Sequence, residues 1–399
     1  MAARRGTLLL LLAGCRLEGL AAVADTRDDD GETSPFPTTS STVTSDPEGG
    51  GPGRPDASSA ADEDGFTSDD TAEGPPLGET GPRPECRAPM GHTVCDDGPE
   101  IFYSLGLDCP SDGNDHTPIS GDRFATSDQE TWATARMYGN EAFTPREGQR
   151  LLVMTTGTLP VADEDGRIDV PFGHTRRPAD QADNRNPDDQ DLPAPIVVQS
   201  GSLSAPFVDC DGIGDCSETL PTAFQRAHDL IYFTFEVTVP DGTFGYEVDL
   251  AWFSAEFPRL VQQPNNDLFV WWQSSDAFTG NVATFEGAPM SATGLQPYLT
   301  APGTGAATGN VALLQDTGFE GSTSSQCTFA WGTYSDCPNG ATTGWMTLSA
   351  PVQPGETVQI VAALFDQGDR TLDTTVLIDN WRWSCGGCEP GSSCGLRPP

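Results

Sequence analysis

Lysine is missing from this chain: all 20 basic side chains in its 399 residues are arginine. Schiff-base chemistry and lysine-dependent phosphate loops are therefore excluded. The plainest source of the bias is a composition weighted toward Arg, Ala, Gly and Pro. Positive charge of any kind is scarce, since 59 acidic residues leave a formal net charge of -39. That balance argues against nucleic acid and anionic membrane surfaces as partners, and it is compatible with cations. Histidine is limited to His92, His116, His174 and His228. The chain has no sustained helical period, no GxSxG, no HExxH and no Cys/His nucleophile motif, so no reaction with a known mechanism is legible in it.

What is present begins with a basic pair, Arg4-Arg5, and a short apolar run that ends at Cys15. The run is too short to span a bilayer and reads as an export signal. Its last four residues, Leu12-Ala13-Gly14-Cys15, resemble the lipobox of bacterial lipoproteins. The resemblance implies a thiol-linked diacylglycerol on Cys15, which becomes the mature N-terminus of a membrane-anchored protein. The competing reading is an ordinary signal peptide with an unremarkable cysteine. Arg16 stands where an aspartate would resemble an inner-membrane retention signal, so the outer membrane or the cell surface is the expected destination.

Between residues 16 and 85, 17 acidic residues face 4 arginines in a background of Gly, Pro, Ser, Thr and Asp. Such a segment buries too little apolar surface to offset its chain entropy, and it is expected to be a disordered tether spanning about 45–50 Å. The folded domain is expected over 86–384, with a Cys-rich tail at 385–399.

Apart from Cys15, ten cysteines remain, an even number in an exported chain, and export favours disulfides over metal thiolates. Spacing favours local closure of Cys210 with Cys216, Cys327 with Cys337 and Cys388 with Cys394. The partners of Cys86, Cys95, Cys109 and Cys385 are open. Cys385-Gly386-Gly387-Cys388 also reads as a redox pair or half a zinc site, but there is no second CxxC to complete one.

The clearest β signal starts at Leu230. Ile231, Phe233, Phe235, Val237 and Val239 alternate with Tyr232, Thr234, Glu236 and Thr238. Pro240-Asp241-Gly242 is a turn signal, and Tyr246, Val248, Leu250 and Trp252 repeat the alternation, which predicts a hairpin. Leu268–Trp272 is apolar on both faces and should be a central strand. Gln149–Gly157, Val358–Phe365 and Thr375–Trp383 supply further strands, the last two after a Gly- and Thr-rich interval. An all-β sandwich follows, with a jelly-roll connection among the open strand orders.

Five pieces then carry a family resemblance: QRLLVMTTG from Gln149, DDQDL from Asp188, HDLIYFTFEVTVPDGTFGYEVDLAWFSAEFP from His228, NNDLFVWW from Asn265 and APVQPGETVQIVAALFDQGDRTLDTTVLID from Ala350. In order and spacing they resemble the choice-of-anchor L domain of bacterial surface proteins, over roughly Ile101 to Trp383. The resemblance implies an extracellular surface module with no assigned reaction. Family members commonly carry C-terminal anchors; here no apolar sorting tail is read after the domain, and the lipobox cysteine is expected to take that role.

Three acidic constellations are candidate calcium ligands. One is Glu256, Asn266 and Asp267 around the loop between two strands; another is Asp366, Asp369 and Asp373, with Gly368 permitting a bend; the third is Asp209, Asp211 and Asp215. Each has a plain alternative in turn chemistry, where Asp and Asn bond their own backbone. The first two are expected to converge on one calcium site at one end of the sandwich. Glu256 with Asp366 would also suit a glycosidase pair. Trp271, Trp272, Trp331, Trp345, Trp381 and Trp383 are read first as core and second as stacking platforms for sugars. The leading expectation is a lipid-anchored, non-catalytic surface protein displaying a β-sandwich for adhesion or ligand binding toward an extracellular polymer or surface partner. The alternatives are a secreted carbohydrate-active hydrolase and a structural envelope or matrix protein.

Overall fold

The computed structural model of the chain describes residues 85–88, 95–110, 117–171, 184–196, 198–200, 220–222, 226–258, 260–263, 265–300, 311–320, 327–329, 332–334, 340–368, 370, 372–389 and 392–398. Cys15, the tether up to residue 84, Cys210, Cys216, Cys337, Trp331, Asp209, Asp211, Asp215 and Asp369 lie outside the described residues, and Cys327 is described as backbone alone.

A five-stranded and a six-stranded antiparallel sheet form the expected β-sandwich. In chain order the strands are β1 (Ile119–Ala125), β2 (Trp132–Ala135), β3 (Leu151–Thr155), β4 (His228–Thr238), β5 (Gly245–Ser254) and β6 (Leu268–Ser274). They continue as β7 (Thr279–Asn281), β8 (Ala341–Pro351), β9 (Thr357–Asp366), β10 (Thr374–Ser384) and β11 (Gly395–Arg397). The five-stranded sheet runs β1-β4-β9-β6-β7 and the six-stranded sheet runs β11-β8-β5-β10-β3-β2.

Strand periodicity divides the apolar residues into layers. Between the sheets lie Phe233 and Phe235 of β4, Tyr246 and Trp252 of β5, Trp271 of β6, Leu364 of β9 and Trp381 of β10. On β6 and most of β9 the residues between them in sequence face outward and are buried as well, whereas Thr234 and Glu236 of β4 are half-buried. On the six-stranded sheet Val153, Phe253 and Leu377 pack under Tyr138, Phe143 and Phe319, which come from the connections between its strands. On the five-stranded sheet Val270, Trp272, Val361 and Phe365 pack with Ile196 and Leu230. This double burial explains why Leu268–Trp272 of β6 reads as an unbroken apolar run. At the centre, Trp381 stacks on Tyr246 at 4.1 Å between ring centroids and lies 6.1 Å from Trp271. Such pairs contribute about 0.5–1.5 kcal/mol beyond their area.

The predicted hairpin is not formed. β4 pairs with β1 and β9, whereas β5 pairs with β8 and β10 in the opposite sheet. The alternation correctly assigned the buried face of each strand, but the link through Pro240-Asp241-Gly242 crosses from one sheet to the other. It is held there from outside: Arg87 N–H donates to Asp241 O at 2.9 Å, and a Cβ on Gly242 would fall 2.5 Å from Glu85 O. The tail beyond residue 384 is likewise part of the domain, because β11 pairs with β8 and Cys385 is bonded to Cys86. Disulfides also join Cys95 to Cys109 and Cys388 to Cys394. With Cys385 and Cys388 bonded to different partners, neither the redox-pair nor the zinc reading of that CxxC stands.

Candidate functional site

One end of the sandwich is closed by carboxylates. There β4, β6 and β10 begin while β5 and β9 finish, since Asp366 pairs with His228, Leu268 with Phe365 and Ser254 with Thr374. Where the apolar positions run out, the chain places Asp229, Glu256, Asp267, Asp366 and Asp373, with exposures of 0%, 1%, 1%, 0% and 1%. Burial this complete removes solvent screening. At an effective dielectric near 20, two unit charges about 4 Å apart repel by about 4 kcal/mol.

Asp366 ends β9 in line with Ala362 and Leu364, which face the inter-sheet core. Neither of its carboxylate oxygens meets an N–H or O–H donor. Burial pushes its pKa well above the usual carboxylate range, and the charges of Asp267, Asp373 and Asp229 push it further. Its carboxyl lies within hydrogen-bonding reach of that of Asp267. Such a bond needs a proton on one of the two, and with both ionised the pair consists of acceptors alone.

The surrounding loops fix this arrangement. Asp267 N–H donates to Glu256 Oε2 at 3.0 Å, so Glu256 holds the backbone of the residue that faces Asp366. Thr156 Oγ1 donates to Asp267 Oδ2 at 3.3 Å and accepts from Thr374 N–H at 2.9 Å. Asn184 in turn donates to Thr156 O. A Cβ on Gly157 would fall 2.3 Å from Asp373 Oδ2, so the glycine leaves room for that carboxylate. Two further oxygen-bearing side chains are buried without hydrogen-bond partners, the Gln367 amide and Thr374 Oγ1.

Of the calcium candidates, Asp267, Asp366 and Asp373 are brought together, and Glu256 stands behind Asp267. Asn266 is committed elsewhere: its Nδ2 donates to Leu260 O and Gln263 O, and its Oδ1 accepts from the N–H and hydroxyl of Thr293. That is the turn chemistry weighed as its alternative. Asp229 was missed. It sits where the β4–β9 register shifts, with φ 52°, and its one trace in the sequence is an acid immediately before an alternating apolar run. Among the described residues, no three His, Cys, Asp or Glu side chains stand in ion-holding geometry. The Glu256 and Asp366 carboxyls, being buried, present no face to a sugar. Trp271, Trp272, Trp381 and Trp383 are core residues, and Trp345 is half-buried with its indole N–H on Ala142 O.

A second polar cluster, which the sequence reading did not single out, shows how this fold ordinarily treats buried carboxylates. Arg382 donates from Nη2 to Glu247 Oε2 at 2.8 Å and from Nη1 to Asp249 Oδ1 at 3.2 Å. Asp379 accepts from the backbone N–H groups of Arg146, Glu147 and Asn380. Burial still raises the Asp379 pKa, and those donors oppose the rise. Donors surround each carboxylate there, and Asp366 has none. Comparison with protein-family models, with curated proteins and with solved structures gives no match to this chain.

Proposed function

We propose that the chain is an exported, lipid-anchored surface protein whose sandwich is a display module for adhesion or ligand binding and not a catalyst. The observation that carries this reading is the set of disulfides Cys86–Cys385, Cys95–Cys109 and Cys388–Cys394, which belong to an oxidising compartment. The leader supplies the route, with Cys15 at the end of Leu12-Ala13-Gly14-Cys15 as the anchor. The resemblance to choice-of-anchor L domains supports the same role, an extracellular module held to the cell by one of several means. The hydrolase alternative is weakened by its own candidate pair, because Glu256 and Asp366 are 1% and 0% exposed.

Replacing Cys15 with serine in the full chain tests the anchor. Wild type is expected in the detergent-extracted membrane fraction and Cys15→Ser in the soluble exported fraction, both with intact disulfides on a non-reducing gel. Sedimentation of the variant with membranes, or retention of either protein in the cytoplasm, overturns the reading.

A further inference from the structure

Asp366 is fully buried, its carboxylate oxygens meet no donor, and it faces the carboxyl of Asp267 with the charges of Asp373 and Asp229 next to it. The residue that follows it, Gln367, is 2% exposed with neither amide atom partnered, and the buried Thr374 Oγ1 is also without a partner. Thr374 is one hydrogen bond from the pair, since its N–H reaches the Thr156 hydroxyl that holds Asp267. Negative charge therefore gathers at one sealed point, and the residues next in sequence to Asp366 and Asp373 carry idle oxygen atoms. An anion would be repelled there, and a neutral organic ligand would leave the repulsion in place. A cation, or a proton shared by the two carboxyls, would remove it.

We propose that the Asp267–Asp366 pair is the centre of a site for a divalent hard cation, with Asp229 and Asp373 as further carboxylates and Gln367 and Thr374 as neutral oxygen donors. Because no three of the described acidic side chains stand in ion-holding geometry, ligation turns Asp229 or Asp373 inward about the pair. Gly157 leaves free the space that the Asp373 carboxylate occupies beside the pair. Calcium is the ion whose chemistry fits: it takes about six to eight oxygens in irregular shells and tolerates ligands from several loops, whereas magnesium demands a near-octahedral shell and keeps its waters. Softer metals seek thiolates, and the nearby donors are all oxygen. This inference does not depend on the anchoring of the chain.

The test uses the full chain freed of metal by chelator and then given calcium chloride, magnesium chloride or sodium chloride at equal ionic strength. Calcium at 100 times its dissociation constant is expected to raise the thermal midpoint by about 5 °C, with sodium giving no rise. Asp366→Asn is expected to abolish the response and to have a higher midpoint than wild type in chelator, because its amide N–H can donate to the Asp267 carboxylate. Equilibrium dialysis with calcium alone supplies the second measurement. One tightly held ion per chain is expected in wild type and none in Asp229→Asn, which also serves if Asp366→Asn does not fold. A calcium response that survives in these variants places the ion on the acidic surface and overturns the site. An absent response, with a midpoint that falls steadily as the pH rises in chelator and calcium alike, assigns the pair to a shared proton and overturns it equally.

Discussion

The Tyr246 hydroxyl shows how much one buried polar atom supports in this core. It donates to Gln273 Oε1 at 2.9 Å and accepts from Trp271 Nε1 at 3.1 Å, between the two sheets. Burial raises the phenol pKa, so the hydroxyl keeps its proton and both bonds. Tyr246→Phe leaves the stacking on Trp381 intact and strands both partners; the expected cost is about 1–3 kcal/mol in urea unfolding, and an unchanged midpoint would show that neither bond matters. Glu147 gives the opposite sign. Partial burial, then the charge of Asp96, raises its pKa from 4.5 to about 7. The folded state thus holds this proton more tightly than the unfolded chain, and stability falls as the pH rises from 4.5 to about 7. Glu147→Gln is expected to flatten that slope and to add about 1 kcal/mol above pH 7 after solvent screening of a half-exposed group, with no gain at pH 4. An equal gain at both pH values would point to packing instead of charge. Residues of this kind were only partly legible. Asp267, Asp366 and Asp373 stood out as acids flanking strands, but that Asn266 turns into its own loop while Asp229 joins the cluster depends on contacts far apart in sequence.

Strands were legible wherever two faces differ in their surroundings or are both buried. β4 alternates cleanly, β5 alternates over Tyr246–Leu250 before its outer face turns apolar at Ala251 and Phe253, and the unbroken Leu268–Trp272 run announced a strand covered on both sides. What alternation does not contain is the identity of the neighbour. A strand that buries one face against the opposite sheet gives the same pattern whether its successor pairs beside it or crosses over, which is why β4 and β5 read as a hairpin. β8 was lost in the Gly- and Thr-rich interval for a different reason. Its register against β5 shifts between Thr342 and Trp345, and Gly344 there has φ 65°, so the bulge breaks the period of two. β1 has the burial pattern of an edge strand, largely exposed, and ISGDRFA carries little apolar signal for that reason.

At the scale of the whole molecule, the sandwich is closed by a covalent bond between its two ends. Cys86 and Cys385 are 299 positions apart, and the segment at Glu85–Arg87 lies on the β4–β5 crossover at Asp241 and Gly242. Spacing alone favoured short loops and left these partners open, because a contact across the full domain has no local signature. In the chain-entropy account the stabilisation grows with the logarithm of the loop, to about 6 kcal/mol for a loop of this size and about 2 kcal/mol for the short Cys388–Cys394 loop. The paired variant Cys86→Ser with Cys385→Ser is therefore expected to lower the thermal midpoint by about 10 °C, roughly two to three times the effect of Cys388→Ser with Cys394→Ser. The short bridge lies beside β11, so its loss should fray that edge strand first and be visible as faster hydrogen exchange at Gly395–Arg397 alone. Loss of the long bridge leaves every strand pairing in place and acts through the unfolded chain, so it should speed exchange across both sheets together. Equal midpoints for the two double variants, or exchange confined to one edge in both, would show that the bond between the ends acts as a local clamp and does not close the domain.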